Sequence, residues 1–271
     1  MSLDNILTGL GATGPAMFAV ALAAIYFACQ LRIQLAERSW PGWRSLSFAA
    51  GCLMMALALA PPFMHWAHED LRGHMLQHLV LGMFAPIALV LGAPVSLALQ
   101  ALPRWCARVI TWILGTRWLR LITHPLGALT LNIGGMYLLY LTPLYAASTE
   151  SPFLQGLLHV HFLLAGYLFS WAVLAGPDPA PRRPSVRLRV VVLFAAIALH
   201  AILAKLMVVW QLPVAMAHPP AMIESAAKLM FYGGDLAELL LAVLLCAGWY
   251  RRRIRQGRNF ADLPVPGGPQ S

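Results

Sequence analysis

The sequence predicts an all-α integral membrane protein, a bundle of seven transmembrane helices with its N-terminus outside and its C-terminus in the cytoplasm. Three observations lead to this fold class. Of the 271 residues, 60% are hydrophobic and only 11% are charged, which is far less polar than a soluble domain. Apolar stretches of about 20 residues recur, each long enough to cross a hydrocarbon core of about 30 Å. Basic residues gather in alternate linkers, as is typical of cytoplasmic loops.

The first four predicted spans lie between residues 12 and 145. Residues 12–31 lack the basic start and small-residue cleavage site of a signal peptide, so we expect a retained anchor. Spans 45–64 and 78–102 follow, and the second of these contains prolines and glycines that a membrane helix tolerates because its neighbours satisfy the freed backbone groups. The fourth predicted span covers residues 126–145.

Three further spans, 153–175, 188–212 and 230–250, complete the bundle. The linker 176–184 (GPDPAPRRP) is a proline-rich turn with no helical option. We therefore expect one transmembrane helical domain over residues 1–258 and a disordered cytoplasmic tail over residues 259–271, which is polar and rich in proline and glycine.

The distribution of Lys and Arg sets the orientation. Sixteen of the 19 basic residues lie in the linkers after spans one, three and five or directly after span seven. Cytoplasmic loops retain such charge, so the alternation places the N-terminus outside. This rule already explains the net charge of +9, and we expect no nucleic acid partner. The basic residues on that side are Arg32, Arg38, Arg44, Arg104, Arg108, Arg117, Arg120, Arg182, Arg183, Arg187, Arg189, Arg251, Arg252, Arg253, Arg255 and Arg258.

One linker on the basic side, residues 103–124, interleaves tryptophans with arginines around an apolar stretch too short to span. Aromatic rings favour the headgroup level of a bilayer, and arginine side chains favour anionic lipid. We expect this segment to lie in the membrane interface in contact with lipid. Its tryptophans are Trp105, Trp112 and Trp118.

The nine histidines do not scatter evenly over this topology. Eight lie at or above mid-depth towards the outside, and only His124 falls in a cytoplasmic linker. None of the four cysteines reaches the outer face, since each lies in the inner half of a span or in a cytoplasmic linker. A metal bound outside would therefore need histidine, methionine or carboxylate ligands. The outer histidines are His65, His68, His74, His78, His159, His161, His200 and His218.

Two histidine pairs are the candidate ligands. His74 and His78 are four residues apart, which puts both imidazoles on one helix face beside Met75. Imidazole with thioether is a ligand set suited to copper. The plainer interpretation is a pair of interfacial histidines bonded to the loop backbone. His159 and His161 are two residues apart and point to nearly opposite sides of a helix, so we expect only one of them to be a ligand, without choosing between them.

Further ionisable side chains lie deep in the last two predicted spans: His200, Lys205, Asp235 and Glu238. Such groups are costly in a membrane and are candidate functional residues by default. The structural alternative is an ion pair between Lys205 and one of the two acids. No catalytic triad, phosphate-binding loop or H-E-x-x-H helix is present in the sequence, and we expect no enzyme activity.

The stretch HMLQHLVLGMFAPIALVLGAPVSLAL at 74–99 resembles the multi-spanning CtaG family of cytochrome c oxidase assembly factors. The resemblance covers roughly residues 50 to 250 and continues in the same order along the chain. The further matching motifs are THPLGAL at 123–129, LTPLYAAS at 141–148, LLHVHFLLAGYLFSWAVLAGPDPAPRR at 157–183 and YGGDLAEL at 232–239.

This resemblance implies a protein of the bacterial plasma (inner) membrane that helps to build the haem-copper respiratory oxidase. It implies copper handling near the outer face and cytochrome c oxidase subunits as partners. The positions that it implies as functional are His74, His78, His159 and His161.

The histidine pattern and the family resemblance are compatible with four functions. The first is a non-enzymatic assembly factor that holds copper between spans three and five and passes it to an oxidase subunit. A metal-free scaffold for oxidase subunits and a haem-handling protein with histidine axial ligands are alternatives. The fourth is a membrane copper transporter, in which His200, Lys205 and Asp235 mark a polar path through the bundle.

Overall fold

Every regular element of the described chain is a helix. The computed structural model describes residues 3–176, 178–179, 184–214, 216 and 218–261, and its side chains from residue 14 to residue 254 within those ranges. The predicted basic residues Arg182 and Arg183 and the tail residues 262–271 lie outside them. The helices are α1 Leu3–Leu35, α2 Gly42–Ala58, α3 Pro61–Glu69, α4 Leu71–Leu91, α5 Pro94–Ala101, α6 Arg104–Leu114, α7 Arg117–Ile122, α8 Pro125–Leu141, α9 Leu144–Glu150, α10 Pro152–Leu174, α11 Val186–Val209 and α12 Pro220–Ala261.

Five of these helices, α1, α4, α10, α11 and α12, are long and apolar enough to cross a membrane. The pair α2 and α3 makes a sixth candidate if it is one span with a bend of 57°. Helix α8 is apolar but shorter, at 17 residues. The structure thus shows an all-helical protein with five or six candidate membrane spans, and a seventh span at α8 stays a prediction.

The third predicted span has different limits in the structure. Helix α4 begins at Leu71, seven residues before the predicted start at His78, because Asp70 caps it by accepting a 2.8 Å hydrogen bond from the Arg72 N–H. It ends at Leu91, before the predicted end. Pro94 cannot donate a backbone hydrogen bond, and Ala93 before it has a left-handed φ of 54°. The chain therefore breaks there and restarts as α5.

Asp178, in the linker after α10, holds the start of α5. Its buried carboxylate accepts hydrogen bonds of 2.6 Å from the Ser96 N–H and 3.3 Å from the Val95 N–H. These are two of the backbone donors that a helix leaves unpaired at its N-terminus. Asp178 of the linker motif GPDP thus stabilises the helix that starts after the break in α4.

Helix α4 lies at the centre of the bundle, with 67% of its most apolar window buried, against 17% for α1. One side of it, including Leu79, Met83 and Ile87, joins a core formed with α8, α10, α11 and α12. The other side, including Leu81 and Ala85, joins a core formed with α1, α2 and α5. Because α4 contacts both cores, packing constrains its side chains on both sides.

A π-helical turn interrupts α4 at Val80–Phe84, directly after His78 and Leu79. Turns of this kind are rare and often occur at functional sites. Gly166 of α10 packs against the backbone of this turn at Gly82, so closely that a Cβ atom at position 166 would overlap the Gly82 carbonyl oxygen. Helices α4 and α10 therefore approach each other backbone to backbone below the histidines that they carry.

Helices α6 and α7 occupy the linker that the sequence predicts to be interfacial. Neither has a buried residue, and the three tryptophans of the segment are 64% to 79% exposed. Such a surface suits lipid contact better than water. The tryptophans are Trp105, Trp112 and Trp118.

Candidate functional site

A small cavity near the N-terminal end of α4 gathers four histidines from three helices. His68 comes from α3, His74 and His78 from α4, and His159 from α10. The free volume is about 30 Å³, enough for one water molecule or a single ion. The bend between α2 and α3 turns α3 over the end of α4 and so brings His68 to this cavity. We refer to the cavity as the histidine cavity.

His159 has a defined ring orientation. Its Nε2 lies 3.1 Å from the Oε1 of Gln77, and the Gln77 amide nitrogen donates to the Ala58 carbonyl at 2.8 Å. That bond directs the amide oxygen of Gln77 to the histidine, so Nε2 must carry the proton and donate. The lone pair of a neutral His159 is therefore on Nδ1, which is the nitrogen available to a cation.

His74 is held by aromatic side chains. Its Nε2 lies 3.1 Å from the Tyr140 hydroxyl, and its ring meets Tyr145 edge to face, with the centroids 4.8 Å apart. The Tyr140 hydroxyl also lies 3.7 Å from the Met75 sulfur. A hydroxyl has one proton to donate. If that proton goes to Met75, the His74 Nε2–H donates to the oxygen, and the lone pair of His74 is again on Nδ1.

His78 has no such support. The side chain is 5% exposed, and within the described residues neither ring nitrogen has a hydrogen-bond partner. Its ring packs edge to face on Phe162, with the centroids 4.8 Å apart. Leaving a buried polar atom unpaired costs about 1–3 kcal/mol, and such atoms commonly mark a place for a water or an ion. His78 is the histidine of the cavity whose geometry most needs a ligand.

His68 of the cavity and a fifth histidine, His218, have contacts of their own. The His68 Nδ1 lies 3.0 Å from the Gln155 amide nitrogen. His218, in the linker before α12, faces the Tyr145 ring at a centroid distance of 6.4 Å, and its buried Nε2 has no partner among the described residues. Burial lowers the pKa of His218, against a smaller opposing effect of Asp70, so this imidazole is neutral near pH 7 and able to bind a cation.

His161 and Met75 do not line the histidine cavity. The His161 Nε2 lies 3.2 Å from the Leu131 carbonyl oxygen, which belongs to a π-helical turn of α8 at Thr130–Gly134. His161 thus joins α10 to α8, on the side of α10 away from His159. Met75 is fully buried in the core, with its sulfur against Tyr140.

The ionisable side chains predicted inside the last two spans do not form one cluster. His200 and Glu238 face each other inside the bundle, 3.6 Å apart between Nδ1 and Oε1, with exposed fractions of 2% and 1%. Asp235 lies one turn before Glu238. The Lys205 ammonium instead lies over the Phe231 ring, 5.9 Å from its centroid, and no ion pair joins it to either acid within the described residues.

Sequence reasoning did not single out the hydrogen-bond partners of the cavity histidines. These partners are Gln77, Tyr140 and Gln155, which lie in or beside predicted spans. The only feature of the sequence that could have identified them is that polar side chains are rare in such spans. Within the part of the chain that the structure describes, no three His, Cys, Asp or Glu side chains are placed to hold one metal ion. The four described cysteines are unpaired, and none of them lines the histidine cavity.

The family model described as "Cytochrome c oxidase caa3 assembly factor (Caa3_CtaG)" matches residues 24–252. Among curated proteins, an uncharacterized protein of Mycobacterium leprae (strain TN) is 33% identical over 194 residues, 68% of this chain and 29% of the relative. Uncharacterized proteins of Mycobacterium bovis (strain ATCC BAA-935 / AF2122/97) and Mycobacterium tuberculosis (strain CDC 1551 / Oshkosh) are each 33% identical over 203 residues, 71% of this chain and 29% of the relative. The chain thus spans less than a third of the length of these relatives. No solved structure matches it significantly.

Proposed function

The chain belongs to the family of cytochrome c oxidase caa3 assembly factors, and from this membership we propose that it supplies copper to an oxidase subunit at the outer face of the bacterial plasma membrane. Copper is the cargo in this proposal. The histidine cavity receives it, and a subunit of the oxidase takes it over. The chain itself catalyses no reaction.

The observation that carries this proposal is the state of the imidazoles around one cavity. His159 directs its unprotonated Nδ1 away from Gln77, and both nitrogens of His78 lack partners among the described residues. Histidines that bind a metal usually bond their second nitrogen to a polar group that orients the ring. Gln77 and Tyr140 supply such groups for His159 and His74. Imidazole suits copper in either of its common oxidation states, and Cu(I) accepts few ligands.

The proposal includes a seven-span topology with the histidine cavity outside. Helix α8 has 17 residues and is about 25 Å long at 1.5 Å per residue, close to the core thickness of about 30 Å. The pair α2 and α3 counts as one bent span. Reporter fusions that are active only in the cytoplasm, placed after residue 116 and after residue 216, test this topology. Activity at 216, or its loss at 116, refutes it.

Copper content of the purified full-length protein tests the cargo. We expect about one Cu(I) per chain in detergent under reducing conditions, and a loss of most of it when His74, His78 and His159 are all changed to Ala. His65→Ala is the matched control, because His65 is an exposed histidine near the same end of the bundle that pairs with Glu69 and lies outside the cavity. Both variants must elute from size exclusion as the wild type does.

Two outcomes contradict the copper proposal. Wild type that retains no more copper than the triple variant excludes the cavity as a copper site. Full assembly of the oxidase in cells that carry the triple variant favours the metal-free scaffold. A Soret band in the purified protein identifies the haem-handling alternative.

One observation favours transport of copper through the bundle as a second candidate. The buried His200 and Glu238 pair lies within the bundle, and His78 at the cavity is within electrostatic range of His200. Polar groups thus extend from the cavity towards the membrane interior, which is typical of ion pathways. Uptake of labelled copper by vesicles that contain the wild type, lost in Glu238→Gln, supports transport. Equal uptake by vesicles without the protein excludes it.

A further inference from the structure

A second cavity, of about 460 Å³, lies at the opposite end of the bundle from the histidine cavity. It is lined by the first turn of α2, the last turns of α4 and α10, and the part of α12 around residue 250. Three arginines line it: Arg44, Arg251 and Arg252. We refer to it as the arginine pocket. On α4, the 16 residues from His74 to Val90 separate the two cavities by about 24 Å.

No carboxylate pairs directly with the arginines of the arginine pocket in the described residues. The Nε of Arg44 is buried without a hydrogen-bond partner, and its guanidinium lies over the Trp40 ring, 5.0 Å from the centroid. Asp178 is within electrostatic range of Arg44, but its carboxylate is taken by the start of α5.

Helix capping accounts for only part of this arrangement. The Arg252 Nη1 donates to the Ala175 carbonyl oxygen at the end of α10, at the long distance of 3.5 Å. Cations do stabilise a helix C-terminus. That contact leaves the other donors of the guanidinium free to bind a second acceptor, and it does not involve Arg44 or Arg251. Three like charges around one cavity repel each other unless an anion joins them.

The rest of the wall is apolar. Val90, Leu91, Leu174 and Leu244 face the cavity beside the arginines. Exposed aromatic residues lie at the same level, directly next to the arginines in sequence: Trp43 before Arg44, and Trp249 and Tyr250 before Arg251. Aromatic residues of this kind mark the headgroup level of a bilayer. A soluble anion needs no apolar wall, whereas a lipid presents phosphate and acyl chain together.

We propose that the arginine pocket binds an anionic phospholipid, with the phosphate held by Arg44, Arg251 and Arg252 and an acyl chain lying along the apolar wall. Basic pockets between membrane helices on the cytoplasmic side suit such headgroups. Guanidinium groups bind phosphate oxygens through paired hydrogen bonds. The lipid would join α2, α4, α10 and α12 at the end where the sequence concentrates its positive charge. This site is independent of copper binding.

Native mass spectrometry of the full-length protein tests the site with phosphatidylglycerol and phosphatidylcholine of the same acyl chains. We expect phosphatidylglycerol to bind at least tenfold more tightly. The double variant Arg251→Gln/Arg252→Gln should bind phosphatidylglycerol about 30-fold more weakly than wild type, since each basic residue near anionic lipid contributes about 1 kcal/mol. If that variant unfolds in detergent, Arg251→Gln alone should show about a fivefold loss, since its side chain is exposed.

Arg253→Gln is the matched control. Arg253 follows Arg252 on the same helix, but its guanidinium lies 4.9 Å from the centroid of the Trp249 ring and does not line the arginine pocket. It should leave phosphatidylglycerol binding unchanged. Equal binding of the two lipids, or an equal loss in Arg253→Gln and the double variant, overturns the proposal. Displacement of the lipid by inorganic phosphate at equal concentration also overturns it, since it identifies a site for a soluble anion.

Discussion

Gly166→Ala should separate the two helices that carry the cavity histidines. A Cβ atom at position 166 would lie 2.8 Å from the Gly82 carbonyl carbon and 3.1 Å from the Pro86 Cγ. Carbon atoms in contact prefer separations of about 3.5–4.0 Å, so α10 and α4 must move apart by roughly 1 Å. The atoms at Gly82 belong to the backbone and cannot rotate away. Overpacking of this kind costs about 1–3 kcal/mol.

The displacement should affect both stability and the histidine cavity. Helix α10 carries His159 two turns before Gly166, and α4 carries His74 and His78. We expect the thermal midpoint in detergent to fall by about 2–12 °C, taking about 2–4 °C per kcal/mol for a chain of this size. We also expect a lower copper content. Fluorescence-detected size exclusion after heating measures the first effect, and metal analysis measures the second.

Gly156→Ala on the same helix is a control that distinguishes the effect of close packing on the melting midpoint from the effect of helix propensity. A Cβ atom there meets nothing within 4 Å, and alanine stabilises a helix over glycine by up to about 1 kcal/mol. We expect its midpoint to equal or exceed that of wild type. If Gly166→Ala melts at the same temperature as Gly156→Ala, the close approach at Gly82 does not constrain the bundle, and the reasoning is refuted.

Three further predictions concern single side chains. Tyr140→Phe removes the partner of the His74 Nε2 and should destabilise the protein by about 1–3 kcal/mol, seen as a lower melting midpoint; an unchanged midpoint means that His74 finds another partner. His161→Ala removes the hydrogen bond to the Leu131 carbonyl oxygen, so the variant should have a lower melting midpoint but the same copper content as wild type. Loss of copper by a folded variant would identify His161 as a ligand. Burial raises the pKa of the Asp178 carboxyl group above the ordinary 3.8. The folded protein therefore keeps this carboxyl group protonated to a higher pH than the unfolded chain does. The stability that the bound proton contributes is lost as the pH rises through the folded pKa. The melting midpoint of wild type relative to Asp178→Asn should therefore be higher at about pH 4 than at about pH 7, and a constant difference contradicts this assignment.

The helices and their order follow from properties that are local in sequence. An apolar stretch of sufficient length must be helical in a bilayer, because no water is present to satisfy its backbone. Helices α10 and α11 therefore match the predicted spans 153–175 and 188–212 closely. Helices α1 and α12 begin nine and ten residues before the predicted spans 12–31 and 230–250 and end beyond them. The limits of the third predicted span differ because single residues set them. Asp70 starts α4 early, within a polar stretch, and the pair Ala93 and Pro94 ends it within an apolar one.

The candidate site follows from the sequence only in part. Spacing of four residues places His74 and His78 on one face, and both line the histidine cavity. Spacing of two residues separates His159 from His161 without indicating which one faces α4. The packing of α10 decides this, because Gly166 allows one side of the helix to approach α4 and leaves the other side, with His161, against α8.

By itself, the sequence determined that this chain is helical, that several of its helices are apolar and long enough to cross a membrane, and which family it belongs to. Those conclusions depend on composition, periodicity and local motifs. The tertiary structure alone decided that a bend in α2 and α3 adds His68 to the cavity, that Gln77 orients His159, and that Glu238 rather than Lys205 faces His200. These contacts join residues far apart in the chain. They depend on the depth and rotation of each helix, which are set by packing against its neighbours and not by the spacing of residues within it.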